Sequence, residues 1–153
     1  MSEVIVIPIT PHKITKEICY ILKDSGVRSA GLKFPRGNIE YGETSEAAAA
    51  RVLLQDTGMS SANSKFMYLM YSNESVSLSV YMILTLSEAD SPNSIMILTG
   101  DQLLKKIREN DIPDMASMAA LTAVLLQSKE AVKYMVGDTS QENGTRNAEI
   151  QQR

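Results

Sequence analysis

The clearest pattern in the chain is a strict alternation over Val76–Leu86, where Val76, Leu78, Val80, Met82, Leu84 and Leu86 fall on one face and Ser77, Ser79, Tyr81, Ile83 and Thr85 on the other. A period of two is that of an extended strand. Residues 4–7 and 18–22 are shorter apolar runs that also predict strands, the first ended by Pro8 and Pro11 and the second by Asp24-Ser25-Gly26. Residues 65–71 are mostly apolar and suit a strand buried on both faces, and residues 95–98 suit a short strand after the turn Ser91-Pro92-Asn93.

Helical signals are of a different kind. From Ser45 to Thr57 the chain contains four successive alanines, with Thr44 or Ser45 available as N-cap and Gly58 as the stop. Residues 102–108 predict a short helix with Leu103, Leu104 and Ile107 turned inward. Beyond Ile112-Pro113, the spacing of Met118, Leu121, Leu125, Val132 and Met135 predicts a long amphipathic helix over 114–136. Residues 31–42, with Gly31, Gly37, Gly42 and Pro35, have the composition of a loop. From Gly137 onward only Ile150 is a large aliphatic, so residues 137–153 are expected to be a disordered polar tail on a domain formed by residues 1–136.

Composition narrows the function classes. At 153 residues and 44% hydrophobic the chain can bury one core but not two. A net charge of -3 provides no broad basic surface, so nucleic acid is not an expected partner. The single cysteine, Cys19, and single histidine, His12, allow neither a disulfide nor a Cys/His zinc site within one chain. Cys19 reads as a small buried hydrophobe and His12 as a surface residue in a turn. Polar residues interrupt every apolar run, and Glu3 and Pro8 spoil an export signal, so a cytoplasmic protein without a membrane span is expected.

The specific signal lies where the glycine-rich loop meets the alanine-rich helix. Gly37, Glu43, Arg51 and Gly58-Met59, in their spacing, resemble the Nudix box, G-x5-E-x7-R-E-U-x-E-E-x-G-U, with U a bulky aliphatic. Phe34-Pro35-Arg36-Gly37 and Glu40-Tyr41-Gly42-Glu43 are similar to the loop entry of the branch that cleaves dinucleoside and inositol polyphosphates. The resemblance implies a Nudix-type α/β/α sandwich with a mixed β-sheet over about residues 3–136. It also implies a nucleotide or polyphosphate ligand, Mg²⁺ or Mn²⁺ as cofactor of an active enzyme, and a possible homodimer. Carried over, it makes Glu43, Asp56 and Arg51 the catalytic candidates, Asp56 and Glu43 the metal ligands, and Lys33, Arg36 and Gly37 the substrate-binding residues. Glycines let backbone groups approach phosphates, and the helix presents carboxylates at i, i+3 and i+4 to the metal.

On that same helix face the chain departs from the pattern. The family's Arg-Glu-aliphatic-x-Glu-Glu reads Arg51-Val52-Leu53-Leu54-Gln55-Asp56, so of positions 52, 55 and 56 only the last is charged. Mg²⁺ usually needs one or two carboxylates besides waters and phosphates, a minimum that Asp56 and Glu43 just meet. Asp is shorter than Glu by one methylene, a displacement of about 1 to 1.5 Å that costs roughly a hundredfold in a positioned reaction. Glu43 and Arg51 also have a plain reading, an ion pair that locks loop to helix.

Three functions follow. The first is a nucleotide-binding protein in which hydrolysis is weak or lost. The second is an active Mg²⁺-dependent hydrolase of a nucleoside-diphosphate-linked substrate, with an acid borrowed from Glu74, Glu88, Asp90 or Asp101. The third is a scaffold for a protein partner. Tyr68, Tyr71 and Tyr81 can stack on a base, but their strand positions favour core or sheet packing.

Overall fold

The computed structural model describes residues 2–27, 30–72, 75–86 and 94–136. Its central element is β1 (Ser2–Pro11), which continues through Pro8 where the sequence suggests a break. The reason is positional. One edge of β1 pairs in parallel with β6 (Val76–Leu86), and the other pairs antiparallel first with β4 (Arg36–Asn38) and then with β2 (Ile18–Asp24). The Val6 N–H points to this second edge, where it donates to the Pro35 carbonyl at 2.9 Å. Residue 8 shares that direction and falls in the gap between β4 and β2, so the donor that proline lacks has no strand to serve.

The described strands form one seven-stranded mixed sheet in the order β3-β2-β1-β6-β5, with β4 on β1 and β7 on β2. Here β3 is Leu32–Lys33, β5 is Ser60–Ser72 and β7 is Ile95–Thr99. Alternation along β1 feeds two cores. Val4 and Val6 pack with Ala48, Ala49, Val52 and Leu53 of helix α1 (Ser45–Thr57). Ile5, Ile7 and Ile9 pack on the other face with Leu121 and Val124 of helix α3 (Met115–Val136) and Leu103 of helix α2 (Gly100–Arg108). The result is the expected α/β/α sandwich. All five of these β1 side chains are fully buried, and each such burial is worth about 1.5–3 kcal/mol.

The ends of α1 form where the sequence predicts them, whereas α2 starts at Gly100, ahead of the expected 102. Thr44 Oγ1 accepts from the Ala47 N–H at 3.1 Å, and Gly58, with φ of 76°, closes α1 in the left-handed conformation. Thr99 and Gln102 make a capping box on α2.

Other expectations are corrected. Residues 31–42 are not all loop, because they contain β3, which pairs with β2, and β4, which pairs with β1. Residues 65–71 belong to β5 at the end of the strand order, so they are not buried on both faces: Phe66, Tyr68, Leu69 and Tyr71 are all exposed. Leu104 and Leu125 face solvent as well. The side chains of Val132 and Met135, the turn Ser91-Pro92-Asn93 and the tail 137–153 lie outside the described residues. Cys19 is buried, with its thiol pKa pushed up by burial and then by Glu17, while His12 is exposed in its turn. No helix among the described residues is long and apolar enough to cross a membrane.

The segment from Gly31 to Phe34 is held by residues of the α2–α3 connection and the start of α3. Leu32 N–H donates to the Asp111 carbonyl at 2.8 Å, and Gly31, with φ of 60°, leaves no room there for a Cβ, which would stand 2.5 Å from the same oxygen. Phe34 N–H donates to Ser117 Oγ at 2.9 Å, and that hydroxyl donates to Asp114 Oδ2 at 2.7 Å. Because Ser117 is fully buried, Ser117→Ala leaves a buried donor unmatched and should destabilise the protein by about 1–3 kcal/mol in urea unfolding. Thr122→Ala, which removes an exposed hydroxyl of the same helix, should change it little. Equal effects of the two substitutions would show that the β3–β4 segment is not held by this bond.

Candidate functional site

Arg51, midway along α1, reaches back over the loop that follows β4. Its Nε and Nη2 donate to the two carboxylate oxygens of Glu43 at 2.8 and 3.0 Å, a planar fork on a planar acceptor. Nη2 also donates to the Asn38 carbonyl at 2.7 Å, and Nη1 to Gln55 Oε1 at 3.1 Å. Glu43 Oε1 accepts once more, from the Glu40 N–H at 3.0 Å. These bonds, Arg51 first and the Glu40 amide second, hold the Glu43 carboxyl pKa down to about 2, while Glu43 raises that of Arg51. The pair therefore has a structural use that is visible in full.

Val52, one residue on, is buried against the loop. A Cβ at Gly37 would stand 2.8 Å from Val52 Cγ2, so the glycine makes room for this valine. Asp56, a turn later, faces Lys23 of β2 at 3.6 Å. No basic residue lies in the last turn of α1, so the cation that faces Asp56 comes from the sheet.

The residues expected to bind substrate do not converge. Lys33 stands directly opposite Lys23 in the β2–β3 register, so the two share a face, and Lys23 reaches α1. Arg36 stands opposite Ile5, whose side chain belongs to the α3 core, so it projects to the other face. There its Nε lies 3.4 Å from Glu3 Oε1, beside a cleft of about 460 Å³ lined also by Met70, Tyr71, Leu78 and Met115.

Three of these residues were not legible as site residues. Tyr71 was expected in packing, yet it is 69% exposed at the cleft, because it lies near the end of an edge strand. Tyr68 is exposed too, and only Tyr81 packs as expected, with its hydroxyl 2.6 Å from Ser45 Oγ and its ring edge-on to Phe66. Glu3 and Lys23 acquire their places through strand register, for which the sequence carries no signal.

The described residues do not fit a divalent cation held by Asp56 and Glu43. Both Glu43 oxygens are bonded to a guanidinium, Asp56 faces an ammonium, Val52 offers no donor atom, and Gln55 is a neutral amide turned to Arg51. Among the described residues no three His, Cys, Asp or Glu side chains come together as a cation site. Asp101 lies in the first turn of α2, and Glu74, Glu88 and Asp90 lie outside the described residues.

No protein-family model matches the sequence, and no curated protein does. Solved structures do match. One described as an ADP compounds hydrolase superposes with a TM-score of 0.65 at 19% identity, over 85% of this chain and 74% of that one. The Nudix domain of Shewanella oneidensis NrtR, complexed with ADP ribose, gives 0.52 at 16% identity, over 69% of this chain and 76% of that domain. This chain has the Nudix fold. A MutT/Nudix family protein from Enterococcus faecalis gives 0.50 at 13% identity, over 64% of this chain and 43% of that one.

The Glu43 shift has a sign that can be tested. Its pKa is lower folded than unfolded, so its stabilising contribution is complete above the ordinary value of 4.5 and is lost as pH falls towards about 2. The urea midpoint of the protein should therefore exceed that of Glu43→Gln by a constant margin from pH 8 to 5, and the margin should narrow below pH 4.5. A margin unchanged down to pH 2.5 would mean that the Glu43–Arg51 pair does not stabilise the fold.

Proposed function

We propose that this protein binds a nucleotide or nucleoside-diphosphate-linked ligand and that its hydrolytic activity is weak or lost. The observation that carries the reading is Val52, packed on Gly37 at the box position where the resemblance implies a carboxylate. Gln55, turned to Arg51, supports it, since the helix face is thereby engaged in packing and hydrogen bonding. Without a carboxylate set, no divalent ion is at hand to polarise a phosphoryl oxygen or lower the pKa of an attacking water.

The binding half of the reading rests on the cleft. Arg36 has a fork of donors of which Glu3 engages one side, and phosphate oxygens suit the remainder. Tyr71 offers a ring face at the same cleft, and Met70, Leu78 and Met115 supply apolar wall, which suits a base or ribose beside a phosphate. Two proteins of the same fold act on or hold ligands of this class, the ADP compounds hydrolase and the NrtR domain with ADP ribose.

ADP-ribose titrated calorimetrically in EDTA should bind, and Arg36→Met and Tyr71→Ala should each weaken it by about tenfold, the worth of one charge-assisted bond or one stacking contact. With Mg²⁺ or Mn²⁺, a panel of dinucleoside polyphosphates, nucleotide sugars and nucleoside triphosphates should be turned over far below the ordinary range of about 1–10³ s⁻¹. The triple variant Val52→Glu, Gln55→Glu, Asp56→Glu should start less stable, regain stability with Mg²⁺, and cleave a panel member at least about tenfold faster than the parent. Ordinary turnover by the parent would overturn the loss of activity, and absence of any ADP-ribose binding would overturn the ligand class.

A further inference from the structure

The cleft beside Arg36 crosses β4, β1, β6 and β5 at the start of α3. Register places Glu3 of β1 opposite Leu78 of β6 and Leu78 opposite Met70 of β5, while Arg36 of β4 meets Glu3 diagonally at 3.4 Å. The order across the cleft is therefore cation, carboxylate, apolar floor, and then the exposed ring of Tyr71 at the rim. Glu3 is the member that a phosphate ligand leaves unexplained. It is half-buried, its Oε1 faces Arg36 Nε, and among the described residues its Oε2 has no hydrogen-bond partner. An ionised carboxylate only accepts hydrogen bonds, and it repels phosphate. Set beside the arginine, it offsets the charge that a phosphate would use unless the ligand brings a donor to it.

We propose that Glu3 is a specificity-determining residue that accepts hydrogen bonds from the 2′- and 3′-hydroxyls of the ribose joining base to diphosphate, so that the cleft takes ribonucleotides with a free diol and excludes 2′-phosphorylated ones. The inference rests on the nucleotide-binding reading above and adds the sugar to it. In a nucleoside diphosphate the ribose lies between base and phosphates, as Glu3 lies between Tyr71 and Arg36. A base stacked at Tyr71 is two strand spacings from Glu3, about 10 Å, so the sugar and not a base amino group comes opposite the carboxylate. Vicinal hydroxyls suit a carboxylate, as they do where an acidic residue holds the ribose of a dinucleotide. Glu3 keeps Arg36 oriented through Nε, and the terminal guanidinium nitrogens, without a partner among the described residues, are left for the phosphates.

The test is calorimetry in EDTA on the full chain with ADP-ribose and three relatives of it: one lacking the adenosine 2′-hydroxyl, one carrying a phosphate there, and one with hypoxanthine in place of adenine. Loss of the hydroxyl should weaken binding by about tenfold or more, the worth of a hydrogen bond to a charged group. The 2′-phosphate should weaken it further by repulsion, and hypoxanthine, which lacks the amino group, should cost less than the missing hydroxyl. In Glu3→Gln the preference for ADP-ribose over its 2′-phosphate form should shrink by about tenfold, since the charge that repels the phosphate is gone. A residue that merely held Arg36 would shift all the ligands by one factor and leave their ratios unchanged. Equal binding of ADP-ribose and its 2′-deoxy and 2′-phosphate forms by the parent, or unchanged ratios in Glu3→Gln, would overturn the role of Glu3 while the nucleotide reading stands. A greater loss with hypoxanthine than with the deoxy sugar would overturn it as well, by placing the carboxylate on the base. The series on the parent needs no substitution, so it decides even if Glu3→Gln fails to fold. If no member of the series binds the parent, both readings are wrong.

Discussion

The structure depends on burying one strand on both faces. Residues 4–9 of β1 alternate between two cores, and a strand so enclosed needs partners on both edges for its backbone groups. One edge is satisfied by β6 along most of its length. The other is shared between β4 and β2, and the short strand β3, next in the chain before β4, pairs instead with β2. Everything discussed as a site lies around that shared edge. The loop before α1 leaves β4 there, Val52 closes on Gly37 there, and the second half of β2, paired with β3 and β7, carries Lys23 to the end of α1.

What could be read from the sequence follows from the range of the interactions involved. The caps of α1 and the alternation of β6 are local, so Thr44, Gly58 and residues 76–86 indicate their elements directly. The Glu43–Arg51 pair was legible because both residues belong to one loop-helix unit. Register between strands is set by the whole sheet, and so the separation of Lys33 from Arg36 onto opposite faces was not legible, nor was the meeting of Lys23 with Asp56. Burial misled in one place for a related reason. An apolar run such as residues 65–71 looks the same in the middle of a sheet and at its edge, and only the strand order distinguishes them.

In this chain the packing of the fold does not depend on the chemistry of the α1 face. The fold is kept by apolar packing on both faces of β1 and by the guanidinium bridge from Arg51 to the loop, none of which needs a metal ion. At 19% identity to the ADP compounds hydrolase on which it superposes, the chain shares the fold alone.

The long edge strand carries its own safeguard. Four exposed apolar side chains on β5, which stands last in the described strand order, with Lys65 the only charged residue between Ser60 and Ser72, would ordinarily make it a template for another extended chain. Its pairing with β6 is irregular at two places, between Ser61 and Asn63 and between Phe66 and Tyr68. Each bulge turns the strand and shifts its hydrogen-bonding direction, so an incoming chain meets only short stretches in consistent register. On this edge, backbone irregularity opposes cross-β growth more than charge does.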